Sequence, residues 1–259
     1  MSRVRGVKHF SDFFKEFSDD YVIIGGTAAS EILGDNELDF RVTKDVDMVI
    51  LTNSSSALNS KIIEYVKLGQ YQLQERVEGK RYYRFSNPKE TVFPQMLEIF
   101  ARNESGLILE DGQHIIPIVN DDVDRLSAIL LDDHYFNLIQ KNVVKSKEGY
   151  SLIDPKVNIC LKARAFRELT DRKNDGEEID SRKIRKHRND VLIIAQALTP
   201  SAPIQLPQIA SSDLKGILDE LDNLDEQTCS QILKGQPITE KQPLVDTITS
   251  SFIFNFEED

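Results

Sequence analysis

An α+β fold with a helical C-terminal part is what this sequence predicts, and three observations carry that prediction. In the first half of the chain, short apolar β-branched runs alternate with segments whose apolar residues recur at helical spacing. Two adjacent glycines, Gly25 and Gly26, stand where one such run gives way to a helical pattern. Beyond residue 150 the longer elements read as helices, separated by a charged loop and a proline-containing linker.

The elements follow in order. Residues 9–17 carry Phe10, Phe13, Phe14 and Phe17 at helical spacing, so an amphipathic helix comes first and its aromatic stripe reads as core packing. Residues 21–24, YVII, read as a short buried strand. After Gly25 and Gly26, residues 27–33 resume at helical spacing, so the glycines join a strand end to a helix N-terminus. Such a junction leaves backbone N–H groups without partners at a positive dipole end, which suits phosphate oxygens. Glycine belongs there because a Cβ would hold a phosphate away from the backbone. Residues 41–51, RVTKDVDMVIL, read as a second strand. Its period of 2 puts Asp45 and Asp47 on one face and Val46 and Met48 on the other. Two neighbouring carboxylates repel, so they are tolerable when exposed or when a cation neutralises them. Carboxylate oxygens as ligands favour Mg²⁺ or Mn²⁺ over Zn²⁺.

Residues 57–68 read as a helix, and 70–85 and 92–101 as strands joined by a turn at 86–89. Glu98 stands between Leu97 and Ile99 in the second of these. Residues 115–119 suggest a further strand. The second Asp-x-Asp, within 120–124, precedes a helical run over 125–139, where capping and the dipole explain clustered acids. Asp132, Asp133 and His134 are adjacent on that helix and point apart, which favours surface placement over a metal site. A strand over 150–153 leads to Asp154-Pro155, an N-cap followed by proline in the first turn. The helix over 155–169 is apolar around most of its circumference and so is buried. Lys162 within it needs an anionic partner, either a nucleotide phosphate or an Asp or Glu. Residues 170–180 read as a mobile loop, and 181–198 as a helix with Lys183, Lys186, His187 and Asp190 on one face. Residues 199–212, with three prolines, read as an extended linker. Two short helices, over 214–224 and 226–233, come next, and the alternation of Phe252, Phe254 and Phe256 suggests a last strand or a docking segment.

The 21–51 stretch resembles the active-site signature of the polymerase-beta-like nucleotidyltransferase superfamily, strand–Gly-Gly–helix followed by a strand bearing Asp-x-Asp. GGTAA followed by RVTKDVD is most similar to the AbiEii-type branch, the toxins of type IV toxin–antitoxin pairs. The likeness extends to Pro155, Lys162, Ala163 and Arg164 or Arg167, then to Lys186, Arg188 and Asp190. The chain departs from that branch in its long charged loop and in Asn189 between Arg188 and Asp190. The resemblance covers roughly residues 20–198 and implies a nucleotidyltransferase fold, a mixed β-sheet flanked by helices.

It also implies a site. Asp45, Asp47 and Glu98 would be catalytic and would hold two Mg²⁺ (or Mn²⁺) ions, with Glu98 as the third carboxylate. Gly25, Gly26, Thr27, Lys162 and Asp190 would bind the nucleotide. The reaction would be NMP transfer from an NTP to a hydroxyl, releasing pyrophosphate, in a toxin-like enzyme acting on tRNA, with an antitoxin protein as partner. An acceptor hydroxyl on a protein or a small molecule is also compatible. The rival reading is a non-catalytic nucleotide- or protein-binding module that retains the fold.

Composition bounds these readings. The chain has 259 residues, enough for a sizeable core. No apolar run approaches a membrane span and no signal-like segment opens the chain, so a cytoplasmic protein is expected. Cys160 and Cys229 are too far apart in sequence to suggest a disulfide scaffold or a zinc site. A net charge of −11 argues against indiscriminate nucleic-acid binding. Residues 162–188 nevertheless hold ten Lys/Arg against six Asp/Glu, a local basic segment able to meet RNA, or equally a solvated face. The expected organisation is a catalytic core over 1–150, a helical part completing the cleft over 151–198, and a linker with an acidic, mostly helical tail over 199–259.

Overall fold

Tyr21, Val22, Ile23 and Ile24 are all buried, and this apolar run, β1 (Tyr21–Ile24), lies inside the sheet. A computed structural model describes residues 4–52, 56–75, 82–101 and 132–256. Before β1 comes α1 (Val7–Phe13), and after it α2 (Gly25–Asp35) starts at the first glycine itself. Then follow β2 (Asp45–Ile50), α3 (Ser56–Gly69), β3 (Gln72–Glu75), β4 (Tyr82–Ser86) and β5 (Met96–Ala101). Further along the chain lie α4 (Asp133–Lys141), β6 (Val143–Lys145) and β7 (Ser151–Ile153). These strands form one seven-stranded sheet in the order β3-β4-β5-β2-β1-β7-β6. It is mixed: β2 runs parallel to β5 and β1 to β7, whereas β1–β2, β3–β4, β4–β5 and β6–β7 are antiparallel.

The helical remainder comprises α5 (Pro155–Asn174), α6 (Ser181–Ala195), α7 (Gln208–Asp222), α8 (Glu226–Ile232) and α9 (Lys241–Ser250). Helix α5 packs against α2, α6 and α7. It begins as its sequence dictates: Asp154 accepts from the Lys156 N–H, and Pro155 occupies the first turn, where no intrahelical donor is needed. Two short strands, β8 (Ile204–Gln205) and β9 (Phe252–Ile253), pair in parallel and close the tail on itself. Leu214, Ile217, Leu221, Leu244 and Ile248 belong to the same buried cluster as β1.

The α+β class with a mixed sheet and flanking helices is present. Several boundaries differ from the sequence reading. Residues 70–85 are two antiparallel strands rather than one, with Leu73 opposite Phe85. The segment 170–180 is helical as far as Asn174, because Arg172 turns inward and pairs with Glu177, with Nε 2.7 Å from the carboxylate. Only the stretch before Gln208 is extended in 199–212, since α7 starts directly after Pro207. Helix α4 has Asp132 as its cap, accepting from the His134 and Tyr135 N–H groups, which accounts for the acids beside His134. The strand expected over 115–119, the acids of 120–124 and the start of the 125–139 helix lie outside the described residues. Phe252 enters β9, while Phe254 and Phe256 stack with centroids 5.9 Å apart.

Candidate active site

At the C-terminal end of β1 the chain turns through Gly25 at φ +71°, a left-handed conformation that glycine adopts without a Cβ penalty. A Cβ there would fall 2.4 Å from Asp47 Oδ2, so the glycine lets the aspartate lie against the turn. At Gly26 a Cβ would meet the Thr43 hydroxyl at 3.2 Å and the Arg41 guanidinium at 3.3 Å. The register Ile24 opposite Asp47 in β1–β2 brings the turn and the acids together. Along β2, Asp45 and Asp47 alternate with buried Val46 and Met48, as a period of 2 requires.

A cavity of about 160 Å³ opens at this point. It is lined by Gly25, Gly26, Asp45, Asp47, Glu98 and Lys162, which the sequence singled out for the site, and by Arg41, Thr43, Asn158, Lys186 and His187, which it did not. Thr27 and Asp190 do not line it. Thr27 is fully buried, and its hydroxyl donates to the Asp45 carbonyl, fixing α2 to the acidic strand. Asp190 is buried on α6. It accepts from Arg41 Nε and Nη2, each at 2.9 Å, and stands 3.1 Å from Lys162 Nζ. The anionic partner of Lys162 is therefore Asp190, whose carboxylate is buried. Arg164 and Arg167 turn elsewhere, to the buried Asp213 of α7.

The electrostatics follow from this packing. Burial raises the Asp47 carboxyl well above its usual range, and the Glu98 and Asp45 charges push the same way. Asp45 is raised by burial and then by Glu98. Asp190 moves down despite its burial, because Lys162 and Arg41 favour its charged form. Lys186 is lowered by burial and by the nearby Arg41 and Lys162. His187 falls to about 3, chiefly through burial and then through Lys162, so its ring is neutral near pH 7.

Glu98 completes an in-register row: it lies opposite Asp47 on one side and opposite Arg84 on the other. Arg84 Nε donates to Glu98 Oε1 at 2.7 Å, and Nη2 donates to the same oxygen. Among the described residues, no three His, Cys, Asp or Glu side chains form a group ready to hold a metal ion. Asp45 and Asp47 nonetheless fit a hard divalent cation. Asp47 Oδ1 is buried with no hydrogen-bond partner, the two carboxylates share one face of the strand, and the donors are all oxygen. Two further buried atoms at the cavity residues, Asn158 Oδ1 and His187 Nδ1, also have no hydrogen-bond partner. Asn158 Nδ2 donates to the Gly25 carbonyl at 2.9 Å, which ties α5 to the glycine turn.

The residues that sequence reasoning missed had weak signals. Arg41 and Thr43 are in the RVTKDVD string but precede the strand proper. Lys186 and His187 share a helical face with Asp190, yet nothing local shows that this face turns toward β2.

No family model matches the chain, and no curated protein does. Among solved structures it is similar to an antigenic nucleotidyltransferase-like protein from Paracoccidioides brasiliensis, at 16% identity and a TM-score of 0.49, over 95% of this chain and 91% of that one. No helix among the described residues is long and apolar enough to cross a membrane.

Proposed function

We propose that this protein is a metal-dependent nucleotidyltransferase that moves NMP from an NTP to a hydroxyl acceptor and releases pyrophosphate. The observation that carries this reading is a single cavity lined by a glycine strand–helix turn, two aspartates on one strand face, and the cations Arg41, Lys162 and Lys186. An anion bound among those cations would offset charge that Asp190 only partly balances, and the backbone N–H groups at the Gly25–Gly26 helix start would donate to a phosphate. Asp45 and Asp47 would hold Mg²⁺ or Mn²⁺. A bound ion would supply Lewis acidity at a phosphoryl oxygen and a lowered pKa for the acceptor hydroxyl. Lys162, fixed by Asp190, would hold its charge against the phosphates as negative charge develops. Glu98 lines the same cavity and would take the hydroxyl proton. Thr27 and Asp190 would serve as positioning residues rather than nucleotide contacts.

The acceptor we favour is RNA, with tRNA 3′ ends the class that the AbiEii-type resemblance implies. Exposed Arg182, Lys183 and Arg185 extend the basic face of α6 beyond Lys186 at the cavity, which supports it. An antitoxin partner and a cytoplasmic setting belong to the same proposal. A second reading, a binding module without catalysis, is favoured by the ion pair that engages Glu98 with Arg84.

The test is transfer of label from each α-³²P-labelled NTP to total tRNA with Mg²⁺ or Mn²⁺, for the wild type beside Asp45→Ala. Labelled RNA that vanishes in the variant is the expected result. Label on the protein itself would replace RNA by a protein acceptor. No label, together with no NTP binding by calorimetry, would overturn the enzyme reading.

A further inference from the structure

The row Arg84–Glu98–Asp47 crosses three adjacent strands, β4, β5 and β2, in register, so the three side chains share one face of the sheet. The Arg84 and Glu98 side chains are 14% and 11% exposed, and Arg84 Nε and Nη2 both donate to Glu98 Oε1. Glu98 lines the cavity, whereas Arg84 does not, so the guanidinium reaches the carboxylate from outside the space a ligand would fill. Arginine keeps its charge at every ordinary pH and matches carboxylates through a rigid donor fork. Arg84 offsets the charge of Glu98, and Asp45 and Asp47 are the other two acids at the cavity. A further divalent ion on Glu98 would face the guanidinium at close range with little intervening water.

We infer that the acidic row takes a single divalent cation, held by Asp45 and Asp47, and that Arg84 sets this count by occupying Glu98. This rests on the metal-dependent reading of the site given above. Arg84 is thus a positioning residue that stands in for a second ion's charge.

The experiment counts Mn²⁺ bound by the full chain without nucleotide, from the loss of the free-ion paramagnetic resonance signal. Wild type should bind one ion and Asp47→Asn none. Arg84→Met should bind two, Arg84→Lys one, and adding Glu98→Gln to Arg84→Met should return the count to one. Glu98→Gln by itself should leave the affinity for the first ion within about threefold. That variant keeps the question decidable if Arg84→Met fails to fold by circular dichroism. Two ions on the wild type, one ion on folded Arg84→Met, or a loss of about tenfold or more in Glu98→Gln would overturn the inference. Transfer of label by a wild type that binds two ions would sink this inference and leave the enzyme reading standing. A wild type that binds no Mn²⁺ would remove both the inference and the metal dependence beneath it.

Discussion

Asp47 shows at residue scale how a buried, crowded carboxylate opposes its own fold. Its Oδ1 is buried without a hydrogen-bond partner, and it lies beside Asp45 and Glu98. Its pKa is raised in the folded chain, so the folded state holds the proton more tightly than the unfolded state. Below the ordinary carboxylate value both states are protonated and the position is neutral. As the pH rises past that value toward the raised folded pKa, stability is lost, and the loss is complete above it. Asp47→Asn removes the charge and keeps the shape. At pH 7 and in EDTA the variant should therefore melt higher than wild type by a few degrees, the size of about 1 kcal/mol in a chain this long. The gain should shrink toward zero as the pH falls below 4, where thermal melts of the two proteins should coincide. Added Mg²⁺ should raise the wild-type melting point and leave the variant's unchanged. A variant less stable than wild type in EDTA at pH 7 would show that Asp47 is not under strain. This much was visible in sequence, since two acids in a strand of period 2 had to share a face. Its position against a glycine at positive φ was not, because that depends on the pairing of β1 with β2.

Elements α5 and α6 place the cations, and a single carboxylate holds them together. Asp190 joins the loop before β2, through Arg41, to the buried middle of α5, through Lys162. Sequence alone required an anion for Lys162 because its helix is apolar nearly all round. It could not choose between a ligand phosphate and Asp190, which is 28 positions away on another helix. The choice rests on how α5 and α6 pack, and pattern along one helix does not encode that. Asp190→Asn would leave Arg41 and Lys162 without their carboxylate in a site with little water. Loss of one member of a buried ion pair costs about 3 kcal/mol or more, so the melting point should fall by about 10 °C. Because the folded pKa of Asp190 is depressed, its contribution is complete above the ordinary carboxylate value and declines only as the pH falls through the lower folded one. The deficit of Asp190→Asn should therefore be constant from pH 6 to 8 in chemical denaturation. A deficit that varies across that range would point to a different group.

For the whole molecule, sequence reading found the sheet class and the glycine–aspartate junction, because periods of 2 and 3.6 are local properties. It treated residues 199–259 as a linker and tail, because prolines and acids along a segment do not reveal what its apolar residues cover. The structure ties that segment to the rest of the molecule at several points. Asp213 of α7 is fully buried, where it accepts from the Tyr135 hydroxyl at 2.7 Å and from Arg167 at 2.8 Å. Gln236 donates to the Asp39 carbonyl at 3.0 Å, which braces the loop that carries Arg41 and Thr43 toward the cavity. Gln196, just beyond α6, exchanges two hydrogen bonds with Ile238. Removing residues 199–259 would expose the faces of α4, α5 and α6 that the tail covers, and would strand Arg164 and Arg167 without Asp213. Burial is worth roughly 25 cal/mol per Å² of apolar surface, and a chain stable by about 5–15 kcal/mol cannot lose a layer of that kind. The full chain should melt in one calorimetric transition. A 1–198 fragment should lack that transition and bind a hydrophobic dye, whereas a fragment with its own sharp melt would show that the sheet and its two long helices fold without the tail.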